Sequence, residues 1–264
     1  MSTGTRSTTR RVVTAVAAAA LAIVTATACE GDDKGKGDGK PAKTSAAPSD
    51  PATDASPPSE STAPPVPEKP SSGKTLTKAE LTKAALVSGE VAGFDVTPMQ
   101  GGEGPGTEKS DKPACEPLAA VINGAPEPAA AATVYRTAVD STEEGEETQT
   151  VVTLILTSHA DGGAQQVITS LRAAVDACAG GFTTHGGDGV STYSEAKKLP
   201  TPKAGDESIA YQVTGAVEGD KVPLVFYVVR RGASLVTFYT ANFIDETTPE
   251  VPSELIRRQS GKLP

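Results

Sequence analysis

The 264-residue chain has no tryptophan, two histidines, two methionines, three cysteines and only ten tyrosines and phenylalanines together. Each shortage excludes something. Two isolated histidines and three scattered cysteines provide no C-x-x-C and no His pair, so no metal site is expected. Lys and Arg number 24 against 33 Asp and Glu, a net charge of −9. Such a chain repels nucleic-acid phosphate instead of releasing counterions from it, and no nucleic-acid partner is expected. Only one apolar run exceeds ten residues, which excludes several membrane spans. There is no G-x-S-x-G, H-E-x-x-H, Walker A or complete G-x-G-x-x-G; GGEGPG at 101–106 has the wrong spacing and no strand before it. Neither a catalytic residue nor a cofactor is expected. All ten aromatics lie between Phe94 and Phe243, so the chain must be divided before its averages mean anything.

Residues 1–28 carry Arg6, Arg10 and Arg11 and no acid, then an Ala-rich apolar run from Val12 to Ala28. A cationic flank, a short apolar core and small residues before a cleavage point make a secretory signal. Ala26-Thr27-Ala28-Cys29 resembles the lipobox of bacterial lipoproteins, although Ala26 stands where that family usually has Leu. The resemblance implies cleavage before Cys29 and acylation of its thiol, which anchors the chain at the outer face of the cell membrane. Stable anchoring takes more than one acyl chain, at roughly 0.8 kcal/mol per buried methylene. Ordinary cleavage leaving a free Cys29, and an uncleaved anchor, are the alternatives.

From 29 to 73 the chain is a tether. After Cys29 it holds nine Pro and five Gly, no aromatic, and Val66 as its only large aliphatic residue. Such a segment buries too little apolar surface to offset the entropy of ordering. Residues 74–264 then form one acidic domain with 25 acids and 16 bases, long enough for a proper core.

Thr77-Lys78-Ala79-Glu80 is a capping box, with Leu76 and Leu81 at the staple positions, and the helix it opens is expected to run to a Gly89 cap. Short strands and helices follow: a strand near 93–96, a helix over 113–122, and strands at 132–139 and 148–157 joined by the loop STEEGEE. A long helix capped by Asp161 comes next, then strands near 190–195, 208–216, 223–230 and 235–242. A last helix starts at Thr248. Hairpin connections dominate. The expected class is α+β, a curved, mostly antiparallel sheet with helices packed chiefly on one face.

Cys115 and Cys178 remain as an even pair in an exported chain, and a disulfide is the default. The order of CEPLAAVI, VVTLILTSHADGGAQQVITSLRAAVDACAGGF, GDESIAYQV and VPLVFYVVRRGASLVTFYTANF, closed by a terminal helix, resembles the PknH-like extracellular sensor domain. The resemblance covers about 115–264. It implies a curved antiparallel sheet with helices against it and a cleft for a ligand; Cys115 and Cys178 match one family disulfide. The family has no established catalytic residues to carry over.

The remaining candidates are modest. His159 precedes the long helix and His185 sits in a Gly-rich loop; both read as loop residues. Tyr211, Tyr227 and Tyr239 lie on neighbouring strands, where packing is the ordinary role and a ligand-lining stripe the alternative. Arg230 flanks a hairpin turn, either as an exposed strand end or as a donor to an anionic ligand. Tyr211, Tyr227 and Arg230 are the candidate ligand-binding residues. The expected function is a non-catalytic, lipid-anchored, sensor-like binding protein for a small envelope ligand or an envelope protein. A lipid carrier, which needs a large apolar cavity, and an envelope hydrolase, which needs a nucleophile and base, are the competing classes.

Overall fold

Thr77 opens the first helix, α1 (Lys78–Ala84), in the computed structural model of the chain. Its hydroxyl accepts from the Glu80 N–H, and the Glu80 carboxylate accepts from the Thr77 N–H at 2.9 Å. Both bonds of the capping box are therefore made. The structure describes residues 73–264 apart from 102–104, 188, 202 and 218. The signal, Cys29 and the tether up to residue 72 lie outside the described residues.

Nine strands follow: β1 (Phe94–Pro98), β2 (Lys109–Ser110), β3 (Ala132–Asp140), β4 (Val151–Ser158), β5 (Phe182–Gly186), β6 (Gly189–Lys198), β7 (Glu207–Val217), β8 (Asp220–Arg231) and β9 (Ser234–Ala241). They form one open sheet in the order β1-β3-β4-β9-β8-β7-β6-β5-β2, every neighbouring pair antiparallel. The helices after α1 are α2 (Glu116–Ile122), entered through a 3-10 turn, then α3 (Glu143–Thr148), α4 (Gly163–Ala177) and α5 (Ser253–Lys262). The class is α+β with a mostly antiparallel sheet, as the hairpins imply.

Helix placement corrects the expectation of packing chiefly on one face, because the core is double. On one face α2 and α4 bury Leu118, Val167, Ile168 and Leu171 against Ile209, Tyr211, Val213, Phe226 and Val228. On the other, α1 and α5 bury Leu81 and Leu255 against Val134, Leu154, Tyr227, Val229, Val236 and Phe238. Residues of β8 alternate strictly between the two cores, as a period of two requires of a strand covered on both sides. The sequence runs in β8 and β9 are almost continuously apolar for this reason.

Several boundaries move. Helix α1 stops at Ala84 instead of continuing to Gly89, and Gln259 takes over its last carbonyl by donating Nε2 to Ala84 O at 2.8 Å. Gly162, not Asp161, is the N-cap of α4, with φ +79°. The acidic STEEGEE loop folds as α3, capped by the Thr142 hydroxyl, because three acids in its first turn suit a helix N-terminus. Helix α5 begins four residues later than Pro249, and Thr248 instead donates to Gln212 Oε1. The sulfurs of Cys115 and Cys178 are bonded, with Cα atoms 5.8 Å apart. That bridge ties the turn before α2 to the end of α4, and both cysteines are buried.

Candidate functional site

The three candidate residues do not converge. Cross-strand register places Tyr211 opposite Phe226 and Tyr227 opposite Phe238, on opposite faces of the sheet. Tyr211 stacks on Phe226 at 5.2 Å, and Phe226 on Tyr239 at 5.1 Å, beneath α2 and α4. Tyr227 meets Phe238 edge-on at 6.4 Å beneath α1 and α5. Tyr211 is fully buried, and its hydroxyl has no hydrogen-bond partner among the described residues. Burial pushes its pKa upward. These rings are core, the ordinary reading of the pair.

Arg230 is also internal. Its Nε donates to Glu207 Oε1 at 3.0 Å, and its Nη1 to Asp206 Oδ2 at 3.2 Å and to Gly232 O at 3.0 Å. Glu207 in turn accepts from Arg172 of α4 at 2.8 Å. With its donors engaged in this way, Arg230 holds a strand end to a hairpin and a helix.

His159 is buried as well. Its Nε2 lies 3.0 Å from the Thr157 hydroxyl, and Nδ1 has no well-formed hydrogen bond. Burial holds the imidazole below its ordinary pKa, against a smaller opposing pull from the Pro128 carbonyl. Below about pH 6.5 the unfolded chain binds a proton that the folded ring refuses. Stability therefore falls as pH drops through that value, by at most about 1.4 kcal/mol per pH unit, and levels off once the folded ring titrates. Melting temperatures between pH 7.5 and 5.5 check this: the decline is present in the wild type and flattened in His159→Gln.

A concavity lies elsewhere, beside the free half of β3. Strand β1 pairs with β3 only from Arg136 to Asp140 and stops at Pro98, which has no N–H to continue the ladder. Ala132 to Tyr135 thus have no strand beside them on that side among the described residues. A groove of about 680 Å³ fills the place, walled by Pro98, Pro126 and Tyr135, with Lys78 and Thr82 of α1 on its rim.

Arg136 is the unusual member of this groove. It occupies an inward position of β3 between Val134 and Ala138 and is only 7 % exposed. Its Nε donates to Leu86 O at 3.3 Å and its Nη1 to Tyr135 O at 2.9 Å. Among the described residues no carboxylate pairs with it, and burial alone lowers its pKa. A guanidinium stays charged under these conditions, and a buried charge without a counter-ion is costly. The groove is thus lined by Arg136, with no acid paired to it among the described residues, and by Glu127, which Lys109 already holds at 3.1 Å, over a small-residue floor, an arrangement that favours an anionic group. Sequence reasoning missed it, although one signal was present: a lone arginine on the apolar side of an alternating strand.

Fold and groove together define an α+β domain built on an open antiparallel sheet with a ligand-sized surface groove. No family model and no curated protein matches the chain. Among solved structures, the extracellular domain of PknH from Mycobacterium tuberculosis is similar over 72 % of this chain and 95 % of that one, with 9 % identity and a TM-score of 0.41. This is a weak structural resemblance.

Proposed function

We propose that the protein is a lipid-anchored, extracytoplasmic, sensor-like binding protein, without catalytic activity, whose groove beside β3 takes a small envelope ligand or a segment of an envelope protein. The observation that carries the reading is the buried Arg136, which lines a groove and has no acid paired to it among the described residues. The lipid anchor rests on the Cys29 motif. Export agrees with the Cys115–Cys178 bridge, since such bonds persist in oxidising compartments. Among the described residues no helix is long and apolar enough to cross a membrane.

Native mass spectrometry of the full chain, gently extracted from its own membranes, tests the reading. An anionic small molecule or an envelope protein should accompany the wild type and Tyr211→Phe, and be lost from Arg136→Gln. Lys78→Gln, which alters only an exposed rim residue, should weaken retention without threatening the fold. A companion that survives both groove variants places binding elsewhere and sinks the proposal. Cys29→Ser should move the chain from the membrane to the soluble fraction.

A further inference from the structure

A second groove, of about 390 Å³, runs between α5, the loop before β7 and the tip of the β8–β9 hairpin. Three cations from three separate elements line it: Lys203 of the loop, Arg231 of the hairpin and Arg257 of the helix. Their convergence stands out in a domain with nine more acids than bases. The one acid in the lining, Glu254, is already shared by two arginines. It accepts from Arg257 at 2.9 Å and from Arg258 at 2.8 Å. Lys203 and Arg231 have no acid within 4 Å among the described residues; Arg231 reaches only the Ser260 carbonyl, at 3.4 Å.

Two further features belong to the wall of this groove, the second with its hydroxyl buried behind it. Ser253 begins α5 in the groove wall, and the N-cap before it, Pro252, provides no side-chain acceptor, so the first-turn amides of a ten-residue helix keep their donors. Ser260, also in the wall, is 4 % exposed and its hydroxyl has no hydrogen-bond partner among the described residues. Convergent guanidinium and ammonium groups beside an uncapped helix start make a setting for an anion with several oxygens.

We infer that this groove binds a phosphate group, with Lys203 and Arg257 as its cationic donors and the amides at Ser253 and beyond as its neutral ones. The groove does not depend on the β3 site and shares no residue with it. It also lies where the tether joins the domain, because Gly73 packs against the backbone of Gly232 and Ala233, next to Arg231. A phosphate here can belong to a soluble phosphate ester or to a lipid headgroup.

The test uses the full chain carrying Cys29→Ser, so that no acyl chain contributes. Orthophosphate is titrated against backbone amide NMR signals, with chloride at matched ionic strength as the reference. Flotation with phosphatidylglycerol and phosphatidylcholine vesicles forms the second arm. Saturable shifts at Ser253 and Glu254 that weaken at least about tenfold in Lys203→Gln/Arg257→Gln support a phosphate site. Vesicle binding that needs phosphatidylglycerol and is lost in the same variant assigns the phosphate to a headgroup. Both substituted side chains are exposed, so the variant keeps its fold. Shifts no larger than those caused by chloride, with no vesicle binding, overturn the inference. So does binding by either probe that the variant leaves unchanged.

Discussion

Replacing Cys115 and Cys178 together with alanine lowers the melting temperature by roughly 8–16 °C. The bridge closes a loop with a sequence separation of 63. In the chain-entropy account, opening a loop of that size costs about 4 kcal/mol, since the unfolded chain regains the freedom that the cross-link removed. The loss is local as well as global. Helix α2 is seven residues long, too short to hold itself together in water, and the bridge at its entrance fixes it to α4. Hydrogen exchange should therefore quicken first in α2 and at the end of α4, while the amides of β7, β8 and β9 change only with global stability. A melting temperature within a degree or two of the wild type shows that packing of Leu118 and Val121 suffices without the bond.

Arg230→Met destabilises the fold by about 3 kcal/mol, and Arg230→Lys by less. The guanidinium is buried, and its fork joins three places at once: Glu207 at the start of β7, Asp206 before it, and the Gly232 carbonyl in the next hairpin. Asp206 also accepts from the Gly232 N–H at 2.8 Å, so the loop and the hairpin are held from both sides. Methionine fills the volume but leaves two carboxylates and a carbonyl short of a partner. The two acids keep part of their hydration, with side-chain exposures of 43 % and 21 %, which places the loss at the lower end for a broken buried pair. Lysine restores a charge but not the fork. Gly205 explains why the loop can come so close: its φ is +60°, and a Cβ there would collide with the Arg230 carbonyl. Urea titrations of the three proteins decide the matter. A loss under about 0.5 kcal/mol for Arg230→Met would show that this fork contributes little to the fold.

What could be read from the sequence was what is decided within a few residues. The Thr77–Glu80 box is a set of hydrogen bonds three residues apart, and it forms as written. The Gly232 and Gly219 turns mark the hairpins around β8. The apolar runs of β8 and β9 announce strands covered on both sides, but not which helix covers which side. That choice depends on whole-chain register. It places Tyr211 and Tyr227 on opposite faces although they lie in adjacent, paired strands.

The shortage of aromatics that marks the chain acquires a physical account in the same way. Most of the ten rings go to two separate cores, in cross-strand stacks and edge contacts, and none of Tyr211, Tyr227, Phe226 or Phe238 is left to line a groove. The grooves are built mainly from small residues, prolines and charged side chains, with Tyr135 as the ring in the wall beside β3. Arg136 illustrates the division. Its place in an apolar alternation is visible in the sequence, but that no described acid pairs with it is a property of every element packed around it. Local chemistry determined the capping box, most of the strands and the acidic character of the domain. Only the tertiary structure decided that Arg230 meets acids and Arg136 meets none among the described residues, because a charge is neutralised by what lies near it in space.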